Sequence, residues 1–139
     1  MKTKAMILLA VLLLLGMAAR VQAQCLTLEV RDINRPQGFL YVAVYSSVDN
    51  FLKKPLTGFR VEVKDKTLTV PCEGLPEGTY ALALFQDLNG NGTLDTGAYG
   101  IPQEPTGFSN DAQGVMGPPS FEKCSFILRG DTTLMVHLR

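Results

Sequence analysis

The chain has 139 residues, 46% of them hydrophobic, with 13 basic and 13 acidic side chains. That is one domain's worth of sequence, too short for a multidomain enzyme and too apolar for wholesale disorder. One histidine, His137, and no tryptophan leave almost nothing for a histidine base or for a metal held by several imidazoles.

The N-terminus reads Met-Lys-Thr-Lys, then an apolar run from Ala5 to Ala19, then Arg20-Val21-Gln22-Ala23-Gln24. A basic start, an apolar stretch and small residues at its end are the marks of a secretory signal peptide. Val21 and Ala23 suit the positions before a cleavage site, so residues 1–23 are expected to be removed and 24–139 to form a single domain. The apolar run, about 15 residues, falls short of the ~20 a bilayer span needs, and no membrane span is expected in the mature chain. Cleavage removes Lys2, Lys4 and Arg20, three of the 13 basic residues and none of the 13 acidic ones, leaving a net charge of −3. Without a basic patch, nucleic acid is not an expected partner.

Beyond Gln24 the hydrophobic period is two. Leu26, Leu28 and Val30 alternate with polar residues, as do Phe59, Val61 and Val63, Leu68 and Val70, and Leu134, Val136 and Leu138. Each reads as a half-buried strand. Phe39–Tyr45 (FLYVAVY) and Tyr80–Phe85 (YALALF) are apolar on both faces and are expected as central strands covered on both sides. A seventh run, Glu122–Leu128, sets Cys124, Phe126 and Leu128 on one face. Seven short strands separated by Gly and Pro predict an all-β, immunoglobulin-like β-sandwich. Between Gln86 and Ser120 more than thirty residues lack strand periodicity. Connections above ~15 residues are uncommon in compact domains. Leu94, Tyr99, Ile101, Phe108 and Met116 give this one the means to pack, so it is expected as one long ordered loop.

That loop opens Asp87-Leu88-Asn89-Gly90-Asn91-Gly92-Thr93-Leu94-Asp95. Oxygen-bearing side chains at alternate positions, a glycine at the sixth and an acid at the ninth match the first part of an EF-hand calcium loop. Alternate residues point inward as the backbone curls around a cation, and position seven, Thr93, offers its carbonyl. The twelfth position, which carries glutamate in an EF-hand, is Ala98. The missing carboxylate is then expected from Glu104, with Asn110 and Asp111 as further candidates. The same Asn and Gly residues also suit a plain turn, since both tolerate positive φ.

Cys25, Cys72 and Cys124 are too far apart for a CxxC motif. In an exported chain they are disulfide candidates. Strand parity points Cys72 and Cys124 inward, which favours a Cys72–Cys124 bridge. Cys25–Cys72 stays open if the first strand pairs antiparallel with the fourth.

The stretch GTYALALFQDLNGNGTLDTGAYGIPQEPTGFSNDA and the later GPPSFEKCSF resemble the bacterial domain-of-unknown-function family 2141. The similarity spans the chain from Cys25 to Arg139 and rests on Asp87, Asn89, Asn91, Gly92, Asp95, Gly100, Pro102, Glu104, Gly107, Phe108, Ser109 and Asn110. Cys124 stands where a small residue such as alanine is expected. The resemblance implies a secreted or periplasmic β-sandwich of the prealbumin-like or carboxypeptidase-regulatory-like kind, with no established activity. The chain is therefore expected to be a non-enzymatic, calcium-stabilised binding or adaptor domain of the cell envelope. Its expected partner is an envelope protein or glycan. The alternative is a small hydrolase using Asp87, Asp95 and Glu104 as acid and base. Ser109 as a nucleophile would need a base beside it, and His137 has the parity of a solvated strand residue.

Overall fold

The computed structural model describes residues 24–139, and the expected signal segment lies outside the described residues. The strands are β1 (Gln24–Arg31), β2 (Phe39–Tyr45), β3 (Thr57–Glu62), β4 (Leu68–Leu75), β5 (Gly78–Asp87), β6 (Thr106–Phe108), β7 (Phe126–Leu128) and β8 (Thr132–His137). They form two sheets. One has the order β4-β1-β8, with β1 antiparallel to β4 and parallel to β8. The other has the order β3-β2-β5-β6, all antiparallel, with β7 also paired to β5.

The period-two pattern explains the packing. Leu26, Leu28, Val30, Val70, Cys72 and Val136 of the first sheet are buried in one cluster with Leu40, Val42, Val44, Leu82 and Leu84 of the second. Pro71 is tolerated because β4 is an edge strand, where a missing N–H breaks no inner ladder. The two sheets also meet through the chain end. The Thr106 N–H donates to the Arg139 carbonyl at 3.0 Å, and the Arg139 N–H to the Thr106 carbonyl at 2.9 Å.

Three expectations are corrected. The count among the described residues is eight strands, not seven, because β6 forms inside the long connection. Three residues centred on Gly107 are too few to show alternation. The Glu122–Leu128 run is not one strand. Ser120 accepts the Lys123 N–H at 3.3 Å and caps a single helical turn, Phe121–Cys124, before β7 begins. The expected Cys72–Cys124 bridge is absent, and Cys25, Cys72 and Cys124 are all free thiols. Cys72 and Cys124 are both buried, as expected, though parity accounts only for Cys72, since Cys124 lies in the helical turn. Parity could not show that Cys72 belongs to β4 in the first sheet, while Cys124 ends a helical turn packed on β5 in the second. Cys25 has the opposite orientation from Cys72 and is exposed. Burial pushes both buried thiols up to about 11, with the nearby Cys25 thiol adding to the effect on Cys72.

The outer face of the five-stranded sheet explains why β2 and β5 are apolar on both sides. Register aligns Arg60, Tyr41, Phe85 and Thr106 across four strands, and Gly58, Ala43, Ala83 and Phe108 in the next row. Tyr41 and Phe85 stack with centroids 5.1 Å apart, and the Arg60 guanidinium lies 3.6 Å above the Phe39 ring. Phe39, Tyr41, Ala43 and Phe85 are only half-buried, so this face is an open aromatic ladder rather than the covered surface expected.

Candidate cation loop and the turn that follows it

Asp87 ends β5 and is fully buried. Its two oxygens accept the N–H groups of Gly90 at 3.0 Å and Gly92 at 2.8 Å, curling the backbone back over the strand end. Gly92 has φ +78°, the left-handed conformation that the sixth position requires. Asn89 and Asn91 each accept the N–H two residues ahead, from Asn91 at 3.2 Å and Thr93 at 3.0 Å. These are Asx turns. Their amide nitrogens donate to the two oxygens of Asp95, at 2.5 Å from Asn89 and 2.7 Å from Asn91. The side chains at positions one, three, five and nine thus organise a single turn, as their spacing predicts.

Glu104 returns to the same turn from the far end of the connection. One of its oxygens accepts the Leu88 N–H at 2.7 Å and the other the Asp95 N–H at 2.9 Å. It is buried and spans the base of the turn like a clasp. The Thr96–Pro102 bridge and the Gln103 N–H bond to the Asp95 carbonyl, 2.8 Å, close the segment between them.

Asn110 and Asp111 do not reach this turn. With Ser109 they form a tight 3-10 turn in which Asn110 and Asp111 have φ +62° and +50°. The Ser109 hydroxyl accepts the Leu82 N–H of β5 at 2.9 Å and donates to the Cys124 carbonyl. The Asn110 amide donates to the carbonyls of Lys123 at 3.1 Å and Ser125 at 2.8 Å. Asp111 accepts the His137 N–H at 2.8 Å and lies 2.7 Å from its Nδ1. Ser109 is therefore a buried connector with no base beside it, and His137 is a half-buried partner of Asp111 rather than a solvated residue. Burial raises the Asp111 carboxyl, but the His137 N–H, the His137 ring and the Arg139 charge together outweigh it. The group is held below the usual carboxylate range. Parity carried no sign of this pairing, because Asp111 and His137 meet only through tertiary packing.

Gln86 is a polar residue that periodicity missed. It is fully buried and donates from Nε2 to the carbonyls of Arg35 at 2.6 Å and Gln37 at 2.8 Å, tying the β1–β2 connection to β5. Its single-residue place at the end of an apolar run was the only signal available.

Gly107 explains the glycine in the GFSN stretch. A Cβ there would lie 2.8 Å from Leu84 Cδ1 and 2.8 Å from Val136 Cγ1, so only glycine lets β6 approach both sheets. Among the described residues no helix is long and apolar enough to cross a membrane. Among the described residues, no group of three or more His, Cys, Asp or Glu side chains is close enough to hold a metal by those residues alone.

No curated protein and no solved structure matches the chain. Residues 28–135 match the family described as an uncharacterized protein conserved in bacteria (DUF2141), and the chain belongs to that family.

Proposed function

We propose that this chain is a non-enzymatic, secreted or periplasmic domain of the bacterial cell envelope, ordered by calcium and acting as a binding or adaptor module. The two-sheet architecture is then a sandwich of the immunoglobulin-like or prealbumin-like kind that the family resemblance implies. The observation that carries the calcium reading is the convergence of Asp95 with the Asn89 and Asn91 side chains above a turn closed by Asp87. The Asn89 and Asn91 oxygens each accept one N–H in an Asx turn and keep a second lone pair, so with Asp95 the group offers hard oxygen donors of the type that suits calcium over zinc or copper. Asp87, Asn89, Asn91, the Thr93 carbonyl and Asp95 would hold the ion. Glu104 would fix the base of the turn, with a lone pair left on each oxygen. Calcium would supply the positive charge that offsets these carboxylates.

The hydrolase alternative has less support. Both oxygens of Asp87 and of Glu104 already accept main-chain N–H groups, and Asp95 accepts two amides. None of the three is presented bare to a substrate.

Thermal melting in chelator, in millimolar calcium and in millimolar magnesium tests the reading. With a dissociation constant of ~0.1 mM and ~1 mM free calcium, binding adds about 1.4 kcal/mol, a rise of a few degrees. Magnesium should do less because it demands tighter octahedral geometry. Identical melting in chelator and calcium would leave only the turn.

A further inference from the structure

The corner where β2 runs into β3 lies at the opposite end of β2 from Asp87, which pairs with Phe39. The connecting residues 46–56 hold Val48, Leu52 and Leu56 in solvent at 60%, 41% and 56% exposure. The segment is well anchored. Phe51 packs edge-on against both Tyr45 and Phe121, with centroids 5.2 and 5.7 Å away. The Leu56 N–H donates to the Val44 carbonyl at 2.7 Å, and the Lys53 and Lys54 N–H groups both reach the Asn50 carbonyl at 2.9 Å. Leu52 sits at φ +60°, a conformation that leucine adopts only when its surroundings over-determine it. A rigid base thus holds a large apolar side chain outward.

Two recesses open on either side of Pro55. One, of about 260 Å³, is lined by Ser46, Asn50, Lys54, Pro55 and Leu56. The other, of about 320 Å³, is floored by Gly58, Ala43 and Ala83 and walled by Tyr41 and Phe85. The floor exists because three neighbouring strands place nothing larger than a methyl in one row, beside a row of stacked rings. At the usual strand spacing this trough is ~10 Å long. Polar and apolar groups line the first recess in equal part, with Lys54 its one cation; the second is mostly apolar, with Arg60 in its wall.

None of the four ion pairs among the described residues involves Lys53, Lys54 or Arg60. The chain from Gln24 onward carries a net charge of −3, whereas residues 46–60 carry Lys53, Lys54 and Arg60 against Asp49, a net +2, so this corner is a local cationic exception. A recess holding Lys54, set beside an apolar trough across Pro55 and near exposed aliphatic side chains, complements a molecule with an anionic head and a hydrocarbon body.

We propose that this corner binds anionic phospholipid at a bilayer surface. The phosphate lies against Lys53, Lys54 and Ser46. The hydrocarbon region meets Val48, Leu52 and Leu56 and enters the trough over Ala43. The site gives the envelope-binding reading a ligand class and rests on it only for its cellular setting; it does not depend on the calcium turn.

Vesicle flotation of the purified protein tests the site. The protein should float with vesicles of phosphatidylglycerol mixed into phosphatidylcholine and not with phosphatidylcholine alone. K53E/K54E should lower partitioning about twentyfold or more, since each lysine near an anionic surface contributes roughly fivefold. Ala43→Leu, which fills the trough from an exposed sheet face, should lower it severalfold at an unchanged melting temperature. Asp87→Ala in chelator should float like wild type, which separates failure of this site from failure of the calcium reading. Equal flotation on both vesicle types, wild-type partitioning by K53E/K54E or by folded Ala43→Leu, or release by millimolar inorganic phosphate would each overturn the proposal.

Discussion

Two turns of the long connection look alike in sequence and behave differently. Asp87–Asp95 and Ser109–Asp111 are both short, polar and rich in Asn and Asp, and both lie in the stretch that carries the family resemblance. The first is self-contained, because its side chains bond to its own backbone and to one another, with Glu104 as the clasp. The second spends its three side chains on three other elements, namely β5, the helical turn with the residue after it, and β8. A turn that satisfies itself can accept a ligand without disturbing the fold. A turn that satisfies its neighbours is part of the fold. Polar density in a sequence therefore does not distinguish a site from a structural hub; the destinations of the hydrogen bonds do.

The difference predicts where damage spreads. Ser109→Ala should have the largest effect. It strands the buried Leu82 N–H and the Cys124 carbonyl, at about 1–3 kcal/mol for each unsatisfied group. Chemical denaturation should show a clear loss of stability, with calcium making no difference to the size of the loss. A near-neutral result would mean that the hub is not needed.

Glu104→Ala comes next, at roughly 2 kcal/mol, since two N–H groups lose a charged acceptor near the surface. Its signature should be local. Hydrogen exchange should accelerate at Leu88 and Asp95 while the amides of β1 and β2 keep their protection. Uniform acceleration through both sheets would erase the distinction between the two turns.

Asp87→Ala strands two N–H groups as Glu104→Ala does, and beyond that loss it should abolish the calcium-dependent rise, worth about 1.4 kcal/mol at ~1 mM calcium, and leave both sheets folded. Melting in chelator and in calcium measures it. A calcium response that survives this substitution would place the ion elsewhere.

The smallest effect belongs to the Asp111–His137 contact, at about 1 kcal/mol because both side chains are partly solvated. The Asp111 carboxyl is lowered in the folded state, so its stabilisation is fully present above the unfolded carboxylate value near ~3.9. It is lost as pH falls through the lower folded value. Asp111→Asn should therefore be less stable than wild type at neutral pH, and the gap should narrow as pH falls below about 4. A gap that stays constant down to the acid limit would show that the contact acts by shape alone.

Much of the architecture was already legible in the residues. Leu26, Leu28 and Val30 announce β1 because a strand sends alternate side chains to one face, the same rule located β3, β4 and β8, and β2 and β5 were legible as short continuous apolar runs. The Asp87 turn was legible for a similar reason, since its geometry is local and the spacing of its oxygen-bearing side chains is a property of consecutive residues. Glu104 was within reach because its partners lie in the same connection.

What only the tertiary structure decided lies at longer range. β6 is too short to carry a period and exists because Gly107 lets the chain lie against Leu84 and Val136. Cys72 and Cys124 are both buried, yet Cys72 lies on the β4-β1-β8 sheet and Cys124 in a helical turn packed on β5 of the other, and periodicity carries no information about which sheet an element joins. Asp111 meets His137 across 26 residues because β8 runs parallel to β1 and brings its end beside the Ser109 turn. Periodicity fixes which way a side chain faces, since that follows from backbone geometry within a few residues. It leaves open what the side chain faces, which depends on how strands distant in the chain assemble into sheets.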